Sequence, residues 1–493
     1  MMKNIFKSTA IASLSALLLL GGCTSDFEKI NTDPDALETG SPTNQLAYVL
    51  RYTAAQYGAV DVTEAWAGYM VKIQYMDNYA YEPTNNTYGN KFACVYRCNV
   101  QLDDILSQTE ASAGEFKNIR WATQIWKEFL WLWCTDQFGA IPYTEANKIE
   151  NGVLKGAYDS QETIYKAILA NLKTIADEMA ADEKGSGSIG VGDFLFDGDV
   201  AKWRKLCNSL RLRAAMRIVN VAPELARTTI EEIGGNLATY PILDASKDNA
   251  YFNWQGSSPY FEPWYNNFRT RDEHGMSNIF VAHLKAMNDP RISVIMKPAV
   301  SDGEYRGFEN GALAAAANLQ TLSRMGEKYR EDPKGFTPFL KSCENYFILA
   351  EAAVRGWNVG ITAQEAYETA VELSMDDNDV SDADAEAYLA GAGKWDGTLA
   401  RVYMEEWVAL FKNNVEAWSL YRRTGYPEAI QTSGEYPGKF CIYGTTHNDV
   451  PFRMPYPDNE YLYNAANLEV VAAGLVDYVW GEKMWWDTRT SVK

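Results

Sequence analysis

The chain has 493 residues, 47% hydrophobic and 22% charged, and 45 Lys and Arg against 65 Asp and Glu leave a formal net charge of −20. Such a composition can bury a sizeable core, in one large domain or two to three modest ones. It argues against nucleic acid or anionic lipid as a partner, because clustered basic residues hold both.

The N-terminus reads as a targeting segment. Lys3 and Lys7 precede a short, mostly apolar run over residues 11–20 that ends in four leucines. Ten residues of helix rise about 15 Å, half the thickness of a bilayer core, so this run is too short to span a membrane. Leu20-Gly21-Gly22-Cys23 then places small residues ahead of a cysteine, as in a lipoprotein signal cleaved before Cys23. Acyl chains on Cys23, at about 0.8 kcal/mol per buried methylene, would anchor the protein durably. Removal of residues 1–22 makes the remaining chain two charges more negative. Pro34, Gly40 and Pro42 break residues 23–42 into a flexible tether, and residues 43–493 are expected to form a single domain.

Helical periodicity dominates from there. Residues 43–60 carry Leu46, Val49, Leu50 and Thr53 on one stripe, and helices follow over 90–108 and 116–138. In the latter, Trp126, Leu130, Cys134 and Phe138 recur every fourth residue before Gly139 stops the helix. Its Trp121, Trp126, Trp131 and Trp133 are expected in the core. Residues 159–179 form a helix with Asp159 as N-cap and Glu162 completing the pair. Further helices are predicted over 202–219, 346–356, 362–375 and 381–389, and 398–423 reads as one bent helix or a pair. Helices of these lengths joined by short turns predict stacked antiparallel pairs. Residues 239–271, 296–335 and 435–458 are rich in Gly, Pro, Asn and aromatics, and loops this long are usually functional.

An ordered set of segments resembles the SusD/RagB family of Bacteroidetes outer-membrane lipoproteins, and within it the second SusD-like subgroup. These are residues 23–35 (CTSDFEKINTDPD), 133–146 (WCTDQFGAIPYTEA), 159–165 (DSQETIY), 196–217 (FDGDVAKWRKLCNSLRLRAAMR), 289–291 (DPR), 346–357 (YFILAEAAVRGW), 418–427 (WSLYRRTGYP) and 450–464 (VPFRMPYPDNEYLYN). Asp26 and Glu28, just after Cys23, resemble the surface-export signal of such lipoproteins. The resemblance implies a mainly α fold, a tetratricopeptide-like stack of helix pairs with a loop-rich ligand face near residues 239–335 and 435–458. It further implies a surface-exposed outer-membrane location, a SusC-like TonB-dependent transporter as partner, a glycan or in some relatives a peptide as cargo, and neither cofactor nor catalysis.

Sugar recognition needs flat rings for a pyranose face and planar polar groups for its hydroxyls. Two stretches supply both. Trp254, Tyr260, Trp264 and Tyr265 stand beside Asn253, Gln255, Asn266, Asn267 and Arg269; Trp66, Tyr75 and Tyr79 stand beside Gln74, Asn78 and Asn85. Arg211, Arg213 and Arg217 share one helix and are expected to satisfy loop carbonyls and carboxylates rather than to face an acidic sugar. The run from Asp376 to Asp384 departs from the calcium-loop template, with Asp382 in the glycine position and Tyr388 in that of the terminal glutamate, so it reads as a helix-capping turn. Cys94 and Cys98 share a helix face without a nearby histidine, a poor zinc set. A surface glycoside hydrolase, which needs two carboxylates about 5 to 9.5 Å apart, and a purely structural envelope lipoprotein are the rival readings.

Overall fold

Side-chain caps and glycine stops set many of the helix boundaries. The computed structural model describes residues 40–74, 84–309, 318–432, 450–475 and 482–490. Helix α1 (Pro42–Tyr57) buries the stripe of Leu46, Val49, Leu50 and Thr53. Thr84 caps α2 (Asn85–Gln108), so that helix begins five residues before the periodicity suggests. Helix α3 (Lys117–Phe138) ends at Gly139, whose φ of 75° suits glycine. Ser160, not Asp159, caps α4 (Gln161–Ala181), its side chain accepting from Thr163 N–H. Asp159 instead lies in a short strand opposite Ile141, where its carboxylate accepts from Thr144.

Asp199 caps α5 (Val200–Arg217), and α6 (Pro223–Gly234) and α7 (Asn278–Ala286) follow. These last two lie outside the helices that periodicity predicts. Helix α8 spans Ser342–Val354, and α9 (Ala363–Asp377) opens with a full capping box between Thr362 and Glu365. Ser381 caps α10 (Asp382–Ala390) as expected. The stretch over 398–423 is a pair, α11 (Leu399–Ala409) and α12 (Asn414–Thr424). The break between them holds Lys412 at φ 74°, a conformation that L-residues rarely adopt. Last comes α13 (Ala465–Ala472).

Each of α1 to α5 packs on its successor, and α8 packs on α9 and α11. This is a mainly α, tetratricopeptide-like stack. The loop-rich stretches contribute two-stranded antiparallel ribbons. Strand β1 (Met70–Lys72) pairs with His274–Met276, and the strand Ala250–Asn253 pairs with Phe336–Leu340, setting Tyr251 opposite Pro338. From Pro42 onward the chain forms one compact unit. No described helix is long and apolar enough to cross a membrane.

The four tryptophans of α3 are all buried. Trp126 lies 4.6 Å from Phe129 and 4.8 Å from Phe339, joining α3 to the strand Phe336–Leu340. Arg213 forms a two-pronged pair with Glu344, at 2.5 and 2.7 Å. Arg217 holds Asp136 at 3.1 Å and also pairs with Glu416, and Arg211 pairs with Glu232. Asp136 accepts from Trp486 Nε1 at 3.2 Å, and its backbone carbonyl accepts from Arg422 at 2.9 Å. Three of the segments that carry the family resemblance, those of Asp136, Arg217 and Arg422, therefore meet in the interior. Burial pushes the Asp136 carboxyl above its usual range, and Arg217 opposes that shift. Cys94, Cys98, Cys134, Cys207 and Cys343 are buried free thiols. In the acidic run, Asp377 accepts from Tyr251 Oη at 2.8 Å and Asp379 pairs with Lys328 at 2.9 Å.

Candidate ligand-binding site

Helix α1 is two-faced. Positions 48, 51 and 52 share a surface at helical spacing, and Tyr48, Arg51 and Tyr52 lie there half-buried while the opposite stripe enters the core. The rings of Tyr48 and Tyr52 stack at 5.6 Å with 12° between planes. The Arg51 guanidinium sits 5.9 Å from the Tyr48 centroid.

The facing wall comes from the strand Ala250–Asn253 and the turn that follows. Trp254 Nε1 donates to Thr337 Oγ1 at 3.0 Å, and the same hydroxyl donates to the Ala54 carbonyl on α1 at 3.3 Å. Phe252 meets Trp254 edge-on at 4.9 Å, and Phe194 meets Phe252 edge-on at 5.9 Å. Gly256 adopts φ 74°, and a Cβ there would stand 2.3 Å from Lys334 Cγ, so the turn requires glycine. Its N–H donates to the Tyr260 carbonyl at 3.2 Å. This turn carries the Tyr260 ring to 5.5 Å from the Arg51 guanidinium.

Between the walls lies a cavity of about 260 Å³ whose lining includes Tyr48, Arg51, Phe194, Asn253, Trp254, Gln255 and Tyr260. Phe194 and Tyr260 are 40% and 38% exposed, so their rings are open to a ligand. Arg51 is the charged member of the lining, and no described lining residue is a carboxylate. Ring faces beside two amides and a guanidinium suit a ligand with an apolar face and several hydroxyl groups.

Of the residues that the sequence singles out, Trp254 and Tyr260 meet at this cavity. Trp264 does not: it is fully buried, 5.9 Å from Phe411 and 6.3 Å from Phe268, with Lys412 Nζ 5.1 Å from its ring. Tyr265 packs on Phe261 at 5.4 Å, away from the cavity lining. Trp66 is also fully buried, 4.7 Å from Trp418. Neither Trp264 nor Trp66 offers a ring face to solvent: Trp264 packs on the break between α11 and α12, and Trp66 on α12. Tyr75, Tyr79 and Cys23 lie outside the described residues. Tyr48, Arg51 and Phe194 join the cavity without having been singled out. The polar–aromatic face opposite the Leu46 stripe is the signal that points to the first two.

A larger cleft of about 680 Å³ opens nearby between α2, residues 142–156 and residues 457–464. Asparagine is prominent in its lining, with Asn86, Asn90 and Asn459 beside Tyr96, Arg97 and Tyr463. Its carboxylates already have partners: Glu145 accepts from Ala157 N–H at 2.8 Å, and Glu460 from Tyr158 Oη at 2.5 Å.

Solved structures share this architecture. A SusD-like protein from Bacteroides thetaiotaomicron matches with a TM-score of 0.77 at 22% identity, covering 91% of this chain and 99% of its own. A chitin-binding SusD homolog from Flavobacterium johnsoniae matches with a TM-score of 0.75 at 25% identity, covering 91% and 98%. A SusD homolog from Bacteroides uniformis reaches 0.76 at 22%, covering 91% and 99%. No curated protein matches the chain. The stacked helices, the motif residues knotted around Asp136 and a family match over residues 32–457 all agree, and this protein belongs to the SusD-like_2 family, described as starch-binding associating with outer membrane.

Proposed function

We propose that the protein is a cell-surface lipoprotein, anchored through Cys23, that binds a glycan and hands it to a SusC-like TonB-dependent transporter of the outer membrane. The observation that carries the binding role is the convergence of Tyr48, Trp254 and Tyr260 with Asn253 and Gln255 around one open cavity. Pyranose rings stack their C–H faces on aromatic rings, while planar amides bridge neighbouring hydroxyls. The chitin-binding relative from Flavobacterium johnsoniae supports a glycan as the class of cargo, and the family's outer-membrane description supports the location. Binding rather than catalysis is the role we assign, and the chitin-binding relative and the family's starch-binding description support it.

The experiment is retention of the purified mature protein on immobilised polysaccharides, paired with detergent extraction of the native complex. Retention by at least one glycan and co-purification with a large β-barrel support the assignment. Retention by none, or recovery only as a monomer under conditions that preserve comparable complexes, counts against the corresponding half.

A further inference from the structure

The side-chain contacts that line the cavity continue beyond Tyr48. From Tyr260 the contacts step to Arg51 at 5.5 Å, to Tyr48 at 5.9 Å, to Tyr52 at 5.6 Å and to Arg97 at 5.5 Å. Arg97 is exposed on α2 and lines the larger, asparagine-rich cleft. A continuous ladder of three phenols and two guanidinium groups, with Tyr48 and Tyr52 stacked at its centre, therefore runs from one cavity to the other across the α1–α2 face.

The arginines of this ladder are unusual in their partners. Carboxylates outnumber basic side chains in this protein, 65 to 45, and Arg120, Arg204, Arg213, Arg217 and Arg291 each hold one. Among the described residues, Arg51 meets only rings. Arg97 spends one N–H on Tyr52 Oη at 3.1 Å and forms no ion pair with a described carboxylate. A guanidinium has five donors, so both retain donors directed at neither a carboxylate nor a carbonyl. The rings that flank them hold each guanidinium in place by cation–π contact, which leaves its edge for a bidentate partner. The Tyr52 hydroxyl is pushed up by partial burial and drawn down by Arg97, consistent with a neutral phenol supporting the cation.

We infer that the ladder binds an acidic glycan, with carboxylate or sulfate groups of the chain seated on Arg51 and Arg97 and sugar faces on the intervening tyrosines. The inference deepens the glycan-binding reading above and rests on it. The strongly negative remainder of the protein would repel such a polymer, which favours binding along this strip, where neither Arg51 nor Arg97 is paired with a described carboxylate.

Calorimetric titration of the purified mature protein tests this with four probes: oligogalacturonate (carboxylate alone), carrageenan oligosaccharide (sulfate alone), and malto- and chito-oligosaccharides as neutral controls. At least one acidic probe is expected to bind about tenfold or more tighter than either neutral one. Arg51→Gln is expected to weaken it about tenfold and Arg97→Gln about threefold, with Arg51→Lys between native and Arg51→Gln, because Lys keeps the charge and loses the fork. Melting temperatures should stay unchanged, which separates lost contacts from lost folding. The two acidic arms identify the group. Equal or tighter binding of a neutral probe, or acidic binding indifferent to Arg51→Gln, overturns the inference and leaves glycan binding intact. Silence with all four probes overturns the inference, and if retention on immobilised polysaccharides also fails, the glycan reading falls with it.

Discussion

Glu262 and Lys412 form an ion pair, Oε1 to Nζ 3.1 Å, with both side chains at 1% exposure or less. Glu262 also caps the short helix Pro263–Phe268 by accepting from Tyr265 N–H at 2.7 Å. Lys412 reaches it from the break between α11 and α12, over the rings of Trp264 and Phe336. Burial pushes the Glu262 carboxyl up and the Lys412 amine down, and each partner opposes the other's shift. Lys412→Met is expected to cost about 3 to 5 kcal/mol, as breaking a buried pair does. The double variant Glu262→Gln/Lys412→Met should recover part of that loss in denaturant melts. Equal stability of the single and double variants would show the pair to be uncoupled.

Tyr260 and Trp264 are four residues apart and should respond in opposite ways. Truncating fully buried Trp264 to Ala is expected to cost about 3 to 5 kcal/mol of stability through lost packing. Tyr260→Ala should leave the melt nearly unchanged and weaken ligand binding about fivefold to a hundredfold, taking stacking at about 1 to 3 kcal/mol. Paired measurements of melting temperature and affinity on both variants check this.

The contribution of Glu128 to stability should fall as pH rises from about 4.5 to about 8. Burial lifts the Glu128 carboxyl from its ordinary 4.5 to about 8. Its Oε1 accepts from Asn171 at 2.9 Å, while Oε2 is enclosed with no partner, an arrangement suited to the neutral acid. In that window the folded state holds a proton that the unfolded chain has released, so the Glu128 contribution is complete below about 4.5 and lost above about 8. Glu128→Gln mimics the protonated form. It should flatten this dependence and gain a few kcal/mol over native near pH 9, read from denaturant midpoints across the range.

Cys23→Ala should move the protein from the membrane pellet to a soluble fraction, because acyl chains on Cys23 supply the proposed anchor. Pelleting of the variant with outer membrane at high salt would exclude acylation of Cys23 as the attachment.

The scaffold was legible because its signals are local and redundant. The stripe of Leu46, Val49 and Leu50, the Thr362–Glu365 box and the Ser381 cap each sit within a few residues of what they specify. Asp159 was a reasonable cap beside Ser160, and tertiary pairing with Ile141 decided otherwise. Several of the residues that reveal the family are structural: Arg217 and Arg422 both bind Asp136 in the interior, and these three carry no information about ligand. The cavity was half legible. An aromatic-rich loop announces rings without saying which face inward, so Trp254 and Tyr260 could not be told from Trp264 and Tyr265. Tyr48 and Arg51 come from a helix almost two hundred residues away in sequence, and only the fold brings them opposite that loop.

The hydroxyl of Thr337, which accepts from Trp254 and donates to Ala54, has a thermodynamic consequence. It ties the two walls of the cavity into one rigid body before any ligand arrives, so binding orders little of the protein. Free and occupied forms should then superimpose at this site, with amide exchange at residues 250–254 equally slow in both. Selection would work through fit to a slot of fixed width, with short oligosaccharides already gaining most of the affinity of long ones at this cavity. Thr337→Val keeps the shape and removes the bridge. It would trade that fixed slot for one that must be assembled at each encounter, at the expense of association rate.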